Sequence, residues 1–371
     1  MPPSHTLLAT TTPGLEAVAL QELAELTGQQ GWVEHPGLVG LPGDEETVCV
    51  LNLFAQSLYR VYLLLYRGTL TTLEALYAQL VALRVADLLA PEQPLAVRAT
   101  RQGEHPFTSQ DLARVAGQAL LESYQRQRGR RPPVNLDAPE VIFRLEARDD
   151  RFWFALDTTG LTSLAERPYR RFAHPAALKP PIAYALVRLA GWHAEETLLD
   201  PMCGSGTILI EAARYACRLP NLRPFAFQRF PWHNPACWQA ALARYPARHL
   251  PLRLLGYEIS PRFLAGARDN AAAAGVALQL LQADATTACL AADRLVVNVP
   301  YGIRMGSTRK VARLYQAFGR NLARWPWTTL VAMTARPKLL QQHLPGVVQH
   351  DLEVRHGGLY THVLVFGRGD T

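Results

Sequence analysis

Lysine is almost missing from this chain of 371 residues: Lys179, Lys310 and Lys338 are the only three, and arginine supplies the rest of the positive charge. Genome base composition or heat adaptation produces such a bias, and neither bears on chemistry. Cysteine is sparse as well. Cys49, Cys203, Cys217, Cys237 and Cys289 are odd in number and include no C-x-x-C pair, which argues against a disulfide scaffold and fits a reduced, cytoplasmic setting. Cys217, His233 and Cys237 match no standard zinc spacing, so no metal is expected. No apolar run reaches the length of a membrane span, and the stretch from Met1 to Gly14 lacks the basic segment and apolar core of a signal peptide. A soluble chain without membrane attachment is expected.

What is present is an ample supply of core residues, 49% hydrophobic, over a length that suits two or three domains. The net charge of +7 is unevenly spread. Residues 1–65 carry one arginine against seven acids, residues 66–175 fifteen basic residues against thirteen acids, and residues 176–371 twenty-two against eleven. This asymmetry suits an anionic macromolecule meeting the carboxyl-terminal half.

In residues 1–65, a strand at His5 to Thr10 precedes a helix carrying Leu15, Val18, Ala19, Leu23 and Leu26, which stops at Gly28. Strand-like runs follow at Trp32 to Leu41 and Val48 to Leu53, and the whole reads as a small α+β module. In residues 66–160, Leu95, Val97 and Ala99 alternate with polar neighbours as a half-buried strand. Thr108-Ser109-Gln110-Asp111 caps a helix through Tyr124, and Val141 to Leu145 pairs with Phe152 to Leu156 across Asp149-Asp150. The run from Arg126 to Arg131 reads equally as a solvated helix end or a phosphate contact. Residues 161–177, with Arg167, Pro168, Arg170, Arg171 and Pro175, read as a linker.

Residues 178–371 open on a Pro180-Pro181 helix stopped by Gly191. Strands are then predicted at 197–200, 252–257, 278–282, 294–298 and 328–333, helices at 206–216, 261–274 and 308–324, and a terminal antiparallel pair at Leu352 to Val354 and His362 to Phe366. Short apolar strands separated by helices imply a mostly parallel sheet covered on both faces, with ligands beyond the carboxyl ends of the strands. The stretch from Cys217 to Leu250, rich in proline, tryptophan and phenylalanine, reads as a packed insertion covering that sheet, with an RNA contact as the alternative.

Two segments carry the chemistry. Asp200-Pro201-Met202-Cys203-Gly204-Ser205-Gly206-Thr207 sits where a strand turns into a helix, and its two glycines allow close approach of a ligand. The third glycine of the dinucleotide fingerprint is missing, which argues against a nicotinamide cofactor. Asn298-Val299-Pro300-Tyr301 follows the apolar run Leu295-Val296-Val297. An exocyclic amine on a base is a poor nucleophile, so catalysis needs two acceptors for its hydrogens. The Asn298 side-chain oxygen and the Val299 carbonyl suit that task, and Tyr301 offers a stacking face. Glu258 stands where an acid meets ribose hydroxyls, and Asp284 where an adenine amine is received or a turn is closed.

Asp200 to Thr207, Glu258, Asp284 and Asn298 to Arg304 resemble the class I Rossmann-like domain of the THUMP-containing RNA guanine-N2-methyltransferases, except that Val299 replaces the first proline of the Asn/Asp-Pro-Pro-Tyr/Phe signature. Pro300 still holds Val299 in extended backbone conformations. Val97 to Thr100, Phe107 to Leu112, and Asp157 through Arg170 are similar to a THUMP domain and its junction. The resemblance implies a ferredoxin-like domain at 1–65, THUMP at 66–160, the linker at 161–177, and a Rossmann-like domain with a mostly parallel seven-stranded sheet at 178–371. It further implies S-adenosylmethionine held by Asp200, Cys203, Gly204, Ser205, Gly206, Thr207, Glu258, Ile259, Asp284, Ala285 and Asn298, with Asn298, Val299, Pro300 and Tyr301 catalytic. The most similar type methylates guanosine 6 of tRNA, binding the acceptor stem and 3′ end as a monomer. A ribosomal RNA guanine-N2 enzyme, a DNA adenine-N6 enzyme and a noncatalytic RNA-binding scaffold remain as alternatives, and Arg304 reads equally as a phosphate contact or a surface charge.

Overall fold

The structure, a computed structural model, describes residues 5–301, 308–356 and 358–368. The front half contains β1 (His5–Thr10), α1 (Glu16–Thr27), β2 (Trp32–His35), β3 (Leu38–Gly43), α2 (Glu45–Phe54), β4 (Arg60–Thr69), α3 (Leu73–Val81), β5 (Leu95–Gln102), α4 (Ser109–Arg128), β6 (Val141–Arg148) and β7 (Arg151–Asp157). The back half contains α5 (Pro180–Leu189), β8 (Thr197–Asp200), α6 (Thr207–Ala216), α7 (Pro235–Arg244), β9 (Arg253–Glu258), α8 (Pro261–Ala274), β10 (Gln279–Gln282), β11 (Arg294–Asn298), α9 (Thr308–Leu322), β12 (Thr329–Thr334), α10 (Pro337–Gln341), β13 (Val347–His356) and β14 (Leu359–Gly367). No described helix is long and apolar enough to cross a membrane.

Two seven-stranded sheets organise these elements, in the orders β2-β3-β1-β4-β7-β6-β5 and β10-β9-β8-β11-β12-β14-β13. The first is continuous across the front half. β4 runs through residue 65 and pairs antiparallel with β1 on one side and β7 on the other, so the two modules read from the sequence share one sheet and one core. Neither β4 nor α3 was foreseen from the sequence; the pairing of β4 slips at a bulge between Leu64 and Tyr66.

Val48 to Leu53 is helical, which corrects the strand expected there. The Asp44 carboxylate accepts from the Thr47 N–H at 2.9 Å while the Thr47 hydroxyl receives the Asp44 N–H at 3.3 Å, and every residue from Val48 to Phe54 is buried. A run buried on all sides has no readable period, and the reciprocal cap starts a helix.

The insertion also lies elsewhere than expected. Phe225, Phe227, Phe230 and Ala241 enter the front-half core beside Val48, Leu53 and Phe54. The Asn221 N–H donates to the Leu53 carbonyl at 2.7 Å and the Phe227 N–H to Thr158 at 3.0 Å. The parallel sheet needs no such cover, because α5, α6 and α8 fill one of its faces and α9 the other. The aromatic side chains therefore bury against the apolar surface of the front half.

Residues 161–177 are partly interior. Arg167 is 4% exposed and donates to Glu211 of α6 at 3.2 and 3.0 Å, to the Asn221 side chain at 2.8 Å and to the Gln56 carbonyl at 3.3 Å. The Tyr169 hydroxyl adds a bond to Glu211 at 2.7 Å. Burial alone raises a carboxyl, yet the Arg167 and Arg214 guanidiniums hold Glu211 below its usual range. In the run Arg126 to Arg131, Arg126 pairs with Glu122, Arg128 with Asp87 at 2.7 Å and Arg130 with Glu92 at 2.9 Å.

In the second sheet, β8, β9 and β10 step one way while β11 and β12 step the other, all parallel, and β14 and β13 close the edge antiparallel. The direction reverses between β8 and β11. That gap is where a doubly wound sheet opens a crevice for ligands.

Candidate active site

β8 delivers Asp200 to the crevice and the chain turns at once into α6. Gly204 at φ +54° and Gly206 at φ +78° take left-handed conformations that other residues rarely adopt. The Gly206 N–H closes the turn on the Cys203 carbonyl at 2.8 Å, and the Cys203 N–H ties it to Tyr257 at 2.8 Å. Glu258, at the end of β9, accepts from the Gly204 N–H at 3.0 Å with one oxygen and from the Ser260 N–H at 2.8 Å with the other. Asp200 is 1% exposed and accepts from the Met202 N–H at 3.1 Å. Burial, reinforced by Glu258, pushes its carboxyl up to about 8. The same burial, with Asp200 and Glu258 adding, pushes up the Cys203 thiol. Ser205 and Thr207 are buried with hydroxyls 3.4 Å apart, and α6 has no side-chain cap, which leaves its first amides for an outside acceptor.

Ile259 follows Glu258 and is 63% exposed. After β10, Asp284 accepts from the Thr286 N–H at 2.8 Å and the Thr286 hydroxyl at 2.7 Å with the same oxygen. This closes a turn over the buried Ala285.

Across the crevice, backbone anchors hold the turn after β11. The Val299 N–H donates to the Met333 carbonyl at 3.2 Å, the Tyr315 hydroxyl to the Pro300 carbonyl at 3.0 Å, and the Arg336 Nε to the Tyr301 carbonyl at 3.0 Å. No described residue donates to the Val299 carbonyl. The Asn298 amide nitrogen donates to the Ala176 carbonyl at 3.3 Å, and the Tyr301 hydroxyl donates to its oxygen at 3.1 Å. Arg304 lies outside the described residues.

All the expected residues within the described range thus lie at the carboxyl edges of β8, β9, β10 and β11. Sequence reasoning missed what spans them. Asn270, 1% exposed on α8, receives the Phe172 N–H at 2.9 Å and donates to the Phe172 carbonyl at 3.0 Å and the Ser205 carbonyl at 3.1 Å. The His174 ring packs edge-on against Phe263 at 4.2 Å, and a side chain at Gly204 would meet that ring first. The segment from Phe172 to Ala176 therefore crosses from the glycine turn to Asn298. Its bonds to Asn270 and Asn298 use backbone atoms, so residue types could not announce them. The one available signal was Asn270, a polar residue on the buried stripe of α8. A cavity of about 480 Å³ elsewhere, lined by Glu22, Tyr184, Trp192, Arg214 and Tyr245, opens at the seam between the halves. It includes none of the expected site residues, and geometry favours the crevice.

Residues 167–362 match the family described as RMKL-like, methyltransferase domain, residues 71–157 the THUMP domain, and residues 6–62 the RlmL ferredoxin-like domain. The chain belongs to this methyltransferase family. It is 36% identical to the tRNA (guanine(6)-N2)-methyltransferase of Archaeoglobus fulgidus, over 96% of this chain and 91% of that one. Identity to the tRNA (guanine(6)-N2)-methyltransferase of Methanocaldococcus jannaschii is 33%, over 95% and 97%. The crystal structure of SMU.472, a putative methyltransferase complexed with SAH, matches with a TM-score of 0.89 at 25% identity and covers 100% of both chains. The family and the three-part fold class expected from the motifs are therefore those found.

Proposed function

We propose that this protein is an S-adenosylmethionine-dependent tRNA guanine-N2-methyltransferase acting on the exocyclic amine of guanosine 6 in the acceptor stem. The observation that carries the reading is the Asn298 carboxamide at the end of β11, tied to the Ala176 carbonyl and next in sequence to the Val299 carbonyl, across the switch point from β8 and the glycine turn that follows it. These two acceptors hold the two amine hydrogens, drawing the nitrogen lone pair out of conjugation as it becomes a nucleophile. Guanine N2 is paired within a stem, so the base swings out at a cost of a few kcal/mol and stacks on Tyr301. S-adenosylmethionine supplies an activated methyl group when bound. Its fit rests on the donor set: Asp200 and the uncapped start of α6 suit the amino-acid end, Glu258 the ribose hydroxyls, and Ile259 with Asp284 and Ala285 the adenine. Cys203, Gly204, Ser205, Gly206 and Thr207 shape the turn.

The tRNA-enzyme names of the two archaeal relatives support the substrate, and the arginine-rich back half suits a phosphate backbone. The front half binds the 3′ end. Five free cysteines suit the cytoplasm. Unmodified tRNA and ribosomal RNA, each incubated with the protein and methyl donor and then digested for nucleoside mass spectrometry, test the reading. N2-methylguanosine at position 6 of tRNA is expected. Methylation confined to ribosomal RNA, or none, would overturn it.

A further inference from the structure

The Asn298 oxygen assigned to the base already has a donor, the Tyr301 hydroxyl at 3.1 Å. The orientation of the amide is unambiguous. A carbonyl only accepts, so the group 3.3 Å from the Ala176 carbonyl is the amide nitrogen, and the oxygen is turned to Tyr301. Tyr301 is itself held by the bond from Arg336 to its carbonyl. Only one of the two proposed acceptors, the Val299 carbonyl, lacks a donor among the described residues.

We propose that the Tyr301 hydroxyl restricts this enzyme to one methyl group per guanine by competing for the Asn298 oxygen. The inference rests on the reading of Asn298 and Val299 as the acceptors of a guanine amine. An unmethylated amine brings two N–H donors: one fills the Val299 carbonyl and the other displaces the hydroxyl. In transfer, the nitrogen lone pair forms the new C–N bond as the C–S bond breaks with its electron pair going to sulfur. The surplus proton leaves nitrogen for water. The monomethylated amine keeps a single N–H, which fills the Val299 carbonyl and leaves the Asn298 oxygen with Tyr301. Nothing then aims the second lone pair. Without the hydroxyl, the Asn298 oxygen is left unsatisfied and attracts the remaining N–H, so a second transfer becomes competitive.

Tyr301→Phe removes the hydroxyl and keeps the ring. One neutral hydrogen bond corresponds to about tenfold in an equilibrium. On tRNA carrying N2-methylguanosine at the target, single-turnover transfer should therefore be about tenfold faster in Tyr301→Phe than in the wild type. N2,N2-dimethylguanosine should accumulate only with the variant. Tyr301→Ala, which also loses the stacking face, should slow both steps. A second measurement needs no transfer: fluorescence anisotropy gives the affinity of cofactor-free protein for the same RNA with guanosine or N2-methylguanosine at the target. The preference for guanosine over N2-methylguanosine should grow about tenfold in Tyr301→Phe, where the second N–H of guanosine no longer has to displace a hydroxyl, and this ratio decides alone if the variant proves inactive. An unchanged affinity ratio, an unchanged product ratio in an active variant, or dimethylation by the wild type would overturn the proposal. Wild-type protein that methylates no guanine amine would instead sink the proposed function.

Discussion

Replacing Asn298 separates what its oxygen does from what its nitrogen does. In Asn298→Ala the acceptor proposed to strengthen as charge develops on the amine is lost. Removing one such preorganised group costs roughly 3–4 kcal/mol, or about two to three orders of magnitude in the transfer step. Cofactor affinity should stay nearly intact, since Asp200, Glu258 and the glycine turn lie on other strands. Asn298→Asp keeps an oxygen acceptor but places a second oxygen where the amide nitrogen now donates to the Ala176 carbonyl at 3.3 Å. That bond becomes a repulsion between acceptors, at about 1–3 kcal/mol, so the aspartate should be slowed about ten- to a hundredfold despite its near-identical shape. Rapid-quench single-turnover assays with labelled methyl donor measure the step, and calorimetry measures cofactor binding. Wild-type transfer by the alanine variant would remove Asn298 from the mechanism. A fully active aspartate variant would show that the Ala176 carbonyl has no part in aiming the side chain.

Asp200, raised to about 8 by burial, holds a proton at neutral pH that the unfolded chain has already released, so its contribution to stability falls as pH climbs from about 4 to about 8. A ligand bearing an ammonium group favours the ionised carboxylate. Cofactor affinity should therefore rise with pH by up to about tenfold per unit below 8 and then level, with proton release visible by calorimetry in buffers of different ionisation enthalpy; a flat wild-type profile, or a slope surviving in Asp200→Asn, would contradict this. Arg167→Met leaves the fully buried Glu211 carboxylate without its main cation and should cost about 3–5 kcal/mol. Arg167→Met with Glu211→Met together should recover most of that loss in denaturant titrations, and a double variant no better than the sum of the singles would refute the coupling.

Much of the fold was legible because its signals are local. The helix stop at Gly28, the cap at Thr108, the hairpin across Asp149-Asp150 and the alternating strands and helices from Thr197 all depend on neighbours within a few residues. The position of the candidate site residues in the fold was legible for a related reason. Each lies at or just beyond the carboxyl end of a parallel strand, so placing the strands places the residues at one edge.

The placement of Asp200, Glu258, Asp284 and Asn298 at one edge of the sheet was thus determined by the order of residues along the chain, together with the class of sheet that carries them. The tertiary structure alone decided that the aromatic insertion seats in the front half, that Arg167 is buried against Glu211, and that the Ala176 carbonyl and the Tyr301 hydroxyl govern the Asn298 amide. Packing of distant surfaces selects among many apolar faces of similar composition, and backbone carbonyls carry no residue type, so periodicity and motif spacing contain no record of either.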